Sequence, residues 1–211
     1  MKNKKVFVVG PEKYYSRWIK NHELTDNMEE ADIVLFTGGE DVDPSLYGCE
    51  HHHTTYSNIK RDLYEKAIFD KVRTDQLCVG ICRGSQFLCV MNGGRLIQDV
   101  DNHATFGTHP IINAFDVIER YEITSTHHQM QYPFNLRRYD DFEVLYYSQR
   151  RGSYYEGDGI ECPPNEPEVV LYHVKGKPRC LAIQGHPEMM TRPADIPVHE
   201  MLNKLIDKYV K

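Results

Sequence analysis

The sequence predicts an α/β fold with a mostly parallel central sheet covered by helices, and extra antiparallel strands in the second half. Three observations predict it. Short apolar runs alternate with amphipathic stretches through the first half. The second half is richer in strand-like runs. No internal repeat, low-complexity tract or linker interrupts the 211 residues, so a single domain over 1–211 is expected.

Residues 6–9 form an apolar strand that ends at Gly10-Pro11, and Tyr15, Trp18 and Ile19 have helical spacing. Ile33-Val34-Leu35-Phe36 is a buried-type strand closed by Thr37-Gly38-Gly39. Leu63, Tyr64, Ala67, Ile68 and Val72 predict the inward face of a helix. Leu77-Cys78-Val79-Gly80-Ile81 is a third strand, followed by a helical pattern over 85–91 that stops near Asn92-Gly93-Gly94. Strands are then predicted at 117–125, 142–147, 169–173 and 180–184. The stretch 150–168 is rich in Gly, Pro and acids and reads as a long loop or irregular hairpin. Val198, Met201, Leu202, Leu205, Ile206 and Tyr209 mark a closing amphipathic helix.

Composition narrows the function classes. Apolar residues at 40% and charged residues at 27% lie near globular averages, which argues against disorder. A formal charge of −6 argues against nucleic acid or an anionic membrane as partner. No apolar stretch is long enough to span a bilayer, and the N-terminal apolar run is too short for a signal peptide, so cytoplasm is the default expectation. The six cysteines do not read as a disulfide framework, because the chain is long and Cys78 and Cys89 sit in apolar runs. There is no Cys-x-x-Cys pair. His51-His52-His53, beside Cys49 and Glu50, are consecutive loop residues poorly placed to converge on one ion. No metal or other cofactor is expected. His103 and His109 read as loop or rim residues, and the tyrosine pairs as packing.

The chemistry concentrates at three strand ends. In Val79-Gly80-Ile81-Cys82-Arg83-Gly84-Ser85-Gln86 a strand runs into Cys82 and a helix begins after it, the cysteine version of a nucleophile elbow. Gly80 and Gly84 supply the small residues that such a turn needs. A thiol at a helix N-terminus is favoured as thiolate. After the strand at 180–184 comes Gly185-His186-Pro187-Glu188, where His186 can serve as base and Glu188 can orient it. Gly38 and Gly39 can turn backbone N–H groups toward a developing oxyanion, together with the N–H of Arg83. In an open parallel sheet the C-terminal strand ends meet at one crevice. The Arg83 side chain is open to two uses: gripping an acidic group on the leaving amine, or bridging to a nearby acid such as Asp43 or Glu40.

Gly80-Ile81-Cys82-Arg83-Gly84-Ser85-Gln86 and Gly185-His186-Pro187-Glu188 resemble the nucleophile and His-Glu motifs of class I glutamine amidotransferases. More narrowly, the chain resembles their stand-alone γ-glutamyl hydrolase-like branch, which includes γ-glutamyl-γ-aminobutyrate hydrolases. Supporting runs begin at Thr37-Gly38-Gly39-Glu40-Asp41-Val42-Asp43-Pro44, continue through Arg61-Asp62 and Asn92-Gly93-Gly94-Arg95-Leu96-Ile97, and end at Thr126-His127-His128-Gln129. The resemblance implies a flavodoxin-like three-layer sandwich and hydrolysis of a γ-glutamyl amide through a thioester on Cys82. It also implies Gln86 touching the bound glutamyl group, with His128 and Gln129 near its α-amino and α-carboxylate groups. The expected partner is glutamine or a small γ-glutamyl substrate. A separate synthase receiving ammonia, a catalytically silent binding protein and a homodimer stay open. Two departures, the polar 150–167 segment and Gln184-Gly185 where an aromatic often stands, touch the rim of the site and put the substrate in question.

Overall fold

In the computed structural model, residues 3–150, 152–155, 159–161 and 163–210 are described. The first half yields β1 (Lys4–Val9), β2 (His22–Leu24), β3 (Ile33–Phe36), α1 (Ile59–Phe69), β4 (Leu77–Ile81) and α2 (Arg83–Met91). The second half adds β5 (Arg95–Ile97), β6 (Ala104–Asn113), β7 (Arg120–Thr126), β8 (Met130–Tyr132), β9 (Phe142–Gln149), β10 (Asn165–Tyr172), β11 (Arg179–Ile183) and α3 (Ile196–Tyr209). The main sheet has the order β2-β1-β3-β4-β11-β10-β9-β6-β7, and β5 pairs with β8 beside it. Strands β2, β1, β3, β4 and β11 are parallel to one another. From β10 outward every pairing is antiparallel.

Alternation along the parallel strands makes the layers, because successive side chains leave a strand on opposite faces. Val6, Val8, Ile33, Leu35, Leu77 and Val79 pack under α3 with Trp18, Met201 and Ile206. Val9, Val34, Phe36 and Cys78 pack on the other face with Phe69, Phe87 and Leu88 of α1 and α2. A three-layer α/β sandwich results.

Four expectations need correction. The helix predicted around Tyr15 is a single 3-10 turn at Lys13–Ser16, although Tyr15, Trp18 and Ile19 are buried as their spacing implied. The inward face of helix α1 is rotated from the one predicted: Ile68 and Val72 pack on the core as expected, but Leu63 and Tyr64 are exposed, and Asp62 and Glu65 point inward. Their burial answers a charge, the Arg83 guanidinium described below. His103 and His109 are buried rather than rim residues, and His109 lies inside β6, a strand the apolar pattern did not reveal. Finally, β10 begins at Asn165, so the end of the presumed 150–168 loop is sheet.

The free thiols of Cys49, Cys78, Cys82, Cys89 and Cys180 form no disulfide among the described residues, and Cys162 lies outside them. No described helix is long and apolar enough to cross a membrane.

Candidate active site

Cys82 stands between β4 and α2 with φ 52° and ψ −112°. A non-glycine residue at positive φ is strained by roughly 1–3 kcal/mol and persists only where its surroundings hold it. Here its N–H donates to the Ile183 carbonyl at 2.8 Å, and its carbonyl accepts from Ser85 N at 2.9 Å and from Ser85 Oγ at 2.7 Å. The flanking glycines permit backbone contact. A Cβ on Gly80 would lie 2.6 Å from the Gly84 carbonyl carbon, and one on Gly84 would lie 2.7 Å from the Phe36 carbonyl carbon. The elbow therefore rests directly on the end of β3.

His186 and Glu188 follow β11. His186 Nδ1 lies 2.6 Å from Glu188 Oε1, with the carboxylate accepting, and Cys82 is close enough to the same ring to raise its pKa. Thr124 Oγ1 receives the His186 N–H at 2.8 Å and donates back to the His186 carbonyl, which fixes the turn. Burial works to lower the His186 pKa, but the contacts with Cys82 and Glu188 outweigh it and push it up to about 10. Glu188 is fully buried. Tyr15, which the sequence did not single out, completes this wall: its ring centroid is 6.3 Å from that of His186. Burial first, and the Glu188 charge second, raise its hydroxyl well above the usual range.

The loop after β3 faces the same place. Gly38 is pressed so closely that a Cβ would meet the Tyr15 hydroxyl at 2.7 Å and the His186 ring at 3.1 Å. Gly39 takes φ +132°, a conformation suited to glycine. As first residue of α2, Arg83 has a backbone N–H without an intrahelical acceptor, so an anion placed near Cys82 meets a donor there.

The Arg83 side chain takes the second of the two uses weighed on the sequence, a bridge to nearby acids, but with other partners. It is 1% exposed, pairs with Asp62 and Glu65 of α1, and stacks over the Phe87 ring at 5.0 Å. It is thus a buried bridge, with partners other than Asp43 or Glu40, and no leaving group can reach it.

Gln86, His128 and Gln129 are brought into one neighbourhood. Gln86 Nε2 donates to the Gln129 carbonyl at 2.8 Å, and Gln129 Nε2 donates to Thr55 Oγ1 at 3.2 Å. Gln129 Oε1 is buried without a hydrogen-bond partner. His128 lies between Asp41, at 3.1 Å, and Asp99, at 3.5 Å. The Asp41 hydrogen bond is the main cause that raises its pKa, against partial burial.

Beneath this segment lies a buried ionic layer that apolar periodicity could not signal. His103 pairs with Glu166 and His109 with Glu168, each at 2.8 Å, and Ser148 Oγ lies within hydrogen-bond distance of both carboxylates, with one proton between them. His127 Nδ1 lies 2.8 Å from the Gln129 carbonyl, and burial pushes its pKa down to about 3. No described group of three or more His, Cys, Asp or Glu is arranged to hold a metal ion. The histidines of the 51–53 run stack instead: His52 lies 4.2 Å from both His53 and Tyr155.

Such an arrangement can carry acyl transfer: a thiol at a helix N-terminus, an imidazole in contact with it, a carboxylate behind, and backbone N–H groups nearby. Comparison with known proteins agrees with that class. The Peptidase C26 family model matches residues 18–133, more than half of the chain. NtpR of Enterococcus hirae is 29% identical over 123 residues, covering 48% of this chain and 52% of that protein. A glutamine amidotransferase-like protein, the YvdE homolog of Lactococcus lactis subsp. cremoris, is 36% identical over 83 residues, 38% of this chain and 44% of its own length. The chain thus spans about half the length of these relatives. In solved structures the fold recurs in a glutamine amidotransferase from Thermotoga maritima, with TM-score 0.57, 14% identity, and 99% and 95% of the two chains covered. It recurs also in PurLQS from the same organism, with TM-score 0.55, 18% identity, and 97% and 100% covered. By family match and by fold, the chain belongs to the Peptidase C26 family, within the class I glutamine amidotransferase superfamily.

Proposed function

We propose that this chain is a cysteine-dependent amidohydrolase that cleaves a γ-glutamyl amide bond, with Cys82 as nucleophile, His186 as general acid and base, and Glu188 as its orienting carboxylate. The observation that carries the reading is the strained Cys82 elbow at the end of β4, beside a His186 whose Nδ1 lies 2.6 Å from a buried carboxylate.

The steps follow from these positions. With the Cys82 proton passed to His186, the sulfur adds to the γ-carbonyl, forming a C–S bond and an oxyanion. Backbone N–H groups of Gly38 or Gly39 and of Arg83 stabilise that oxyanion. The carbonyl re-forms as the C–N bond breaks, and the His186 imidazolium gives its proton to the departing nitrogen. His186, now neutral, takes a proton from water, whose oxygen displaces sulfur and releases glutamate. Gln86, His128 and Gln129 line the glutamyl side in this reading.

The test is twofold. A glutamine-like diazoketone should label Cys82 and none of the other cysteines. The purified chain alone should release glutamate from γ-glutamyl amides, and Cys82→Ala should not. Release from free glutamine only when a synthase is added would move the reading to a glutaminase subunit. Full turnover in Cys82→Ala would sink the nucleophile assignment.

A further inference from the structure

Arg61 is a half-buried arginine of α1 that reaches across to the loop after β3. Its Nη2 donates to the Gly38 carbonyl at 2.8 Å, and lies 3.4 Å from the Thr37 carbonyl and 3.3 Å from Thr37 Oγ1. Its Nε donates to Glu65 at 2.8 Å. Its guanidinium rests against Gly39, where a Cβ would lie 3.3 Å from the guanidinium carbon. Glu65 also pairs with Arg83, the residue after Cys82, and Arg83 pairs with Asp62, whose other oxygen receives the Asp43 N–H at 3.0 Å. One short helix therefore holds the glycine loop through Arg61 and the elbow through Asp62 and Glu65.

The peptide group is planar and trans, so its C=O and N–H point in opposite directions. A guanidinium that draws the Gly38 carbonyl toward α1 turns the Gly39 N–H away from α1. The weaker hold on the Thr37 carbonyl does the same for the Gly38 N–H. The other wall of Gly38 is the His186 ring and the Tyr15 hydroxyl. A fork with several donors suits this task, since one side chain can hold more than one carbonyl and a carboxylate together.

We infer that Arg61 is the positioning residue of the oxyanion site: it sets the peptide orientation of Gly38 and Gly39, and through Glu65 and Arg83 it fixes their distance from the elbow. The inference rests on the oxyanion role given to those N–H groups under the proposed function. Arg61 itself touches no reacting atom.

Two reactions of the same thiol separate this role from general structural support. Alkylation of Cys82 by iodoacetamide is a displacement at saturated carbon and forms no oxyanion. Acylation of Cys82 by p-nitrophenyl acetate passes through a tetrahedral oxyanion and needs no γ-glutamyl recognition. Both are followed by mass at Cys82 in Arg61→Gln and Arg61→Lys, the latter keeping a positive charge beside Glu65. Acylation is expected to fall about 10²-fold, the usual cost of losing an oxyanion donor, with alkylation within about two-fold of the parent. A parallel fall in both rates would make Arg61 merely structural and overturn the inference, as would unchanged acylation. A parent chain that the ester does not acylate at Cys82 also overturns it. If the parent releases no glutamate from γ-glutamyl amides, yet the two rates still part in the variants, the substrate reading fails and the positioning role stands.

Discussion

Replacing Gly84 by alanine tests the closest backbone contact in the site. The new Cβ would lie 2.7 Å from the Phe36 carbonyl carbon, nearer still to its oxygen, and 3.1 Å from the Thr37 carbonyl oxygen. All three are main-chain atoms of β3 and its loop, so no side chain can rotate aside. Relief requires α2 and β3 to part by about 1 Å, since the Phe36 oxygen is the nearest atom and atoms in contact prefer about 3.5 Å. Overpacking of this kind costs roughly 1–3 kcal/mol, which in a chain of this size corresponds to a fall in Tm of about 2–12 °C. The parting also separates the elbow from the Thr37-Gly38-Gly39 loop, and a misplacement near 1 Å can cost about 10²-fold in rate. Gly48→Ala is the control. Gly48 has φ +70° and nothing within 4 Å of a Cβ, so the substitution meets backbone strain but stands apart from the elbow. The assay is thermal unfolding together with kcat/KM on a γ-glutamyl amide. Gly84→Ala with unchanged Tm and unchanged kcat/KM, or Gly48→Ala with an equal loss of activity, would refute the argument.

Other outcomes follow from the same geometry. His186→Ala should lower kcat/KM on the order of 10³-fold or more because both proton transfers fail, and Glu188→Gln should cost less; measured rates in the reverse order contradict the roles. His186 holds its proton to about pH 10 in the fold, against about 6.5 in an unfolded chain. Its contribution to stability is therefore complete below pH 6.5 and is lost as pH rises toward 10. Denaturant titrations should show that decline, and His186→Gln should flatten it. Since Glu188 helps to raise this pKa, Glu188→Gln should move the alkaline limb of kcat/KM to lower pH, and an unmoved limb would contradict the contact. Arg83→Leu leaves Asp62 buried without its guanidinium and Glu65 with that of Arg61 alone, and breaking a buried pair in this way costs about 3–5 kcal/mol. Any activity loss should be equal on free glutamine and on a γ-glutamyl amino acid, and a loss confined to the latter would restore the carboxylate grip.

Apart from the short, exposed β2, which the sequence reading missed, the parallel strands were legible because they are buried and read as unbroken apolar runs, as at Ile33-Val34-Leu35-Phe36. The elbow was legible for a different reason: Gly80 and Gly84 flank Cys82, and only glycine tolerates the contacts found there. Three of the four errors share one cause. Helix α1 buries Asp62 and Glu65 against Arg83, and β6 and β10 bury His109, Glu166 and Glu168 against one another. A polar residue whose charge is met inside the fold looks, in sequence, like a residue facing water. Tyr15 and Thr124 escaped notice because their partners are remote in the chain. Thr124 binds His186 across sixty-two positions, and nothing local marks that pairing.

The same remoteness explains how Cys82 and His186 come to meet. Strand β11 adds to the sheet beside β4, parallel and with Ile183 opposite Ile81. The ladder runs one step further, where the Cys82 N–H finds the Ile183 carbonyl. Both strands therefore end at one level. Cys82 follows immediately, whereas β11 needs Gln184 and Gly185 before His186 can turn back toward it. That turn must be narrow. A Cβ on Gly185 would lie 2.7 Å from the Thr124 carbonyl oxygen and 2.6 Å from the Ile123 side chain, both in β7, part of the antiparallel extension. On its other side β11 is held by β10, and Gln184 N donates to the Glu168 carbonyl at 2.8 Å. The extension thus supplies the outer wall against which the His186 turn is pressed. This gives a reason for its buried ionic layer: the pairs of His103 with Glu166 and of His109 with Glu168 tie β6 to β10 across the sheet, and with them the wall that keeps the His186 turn within reach of Cys82.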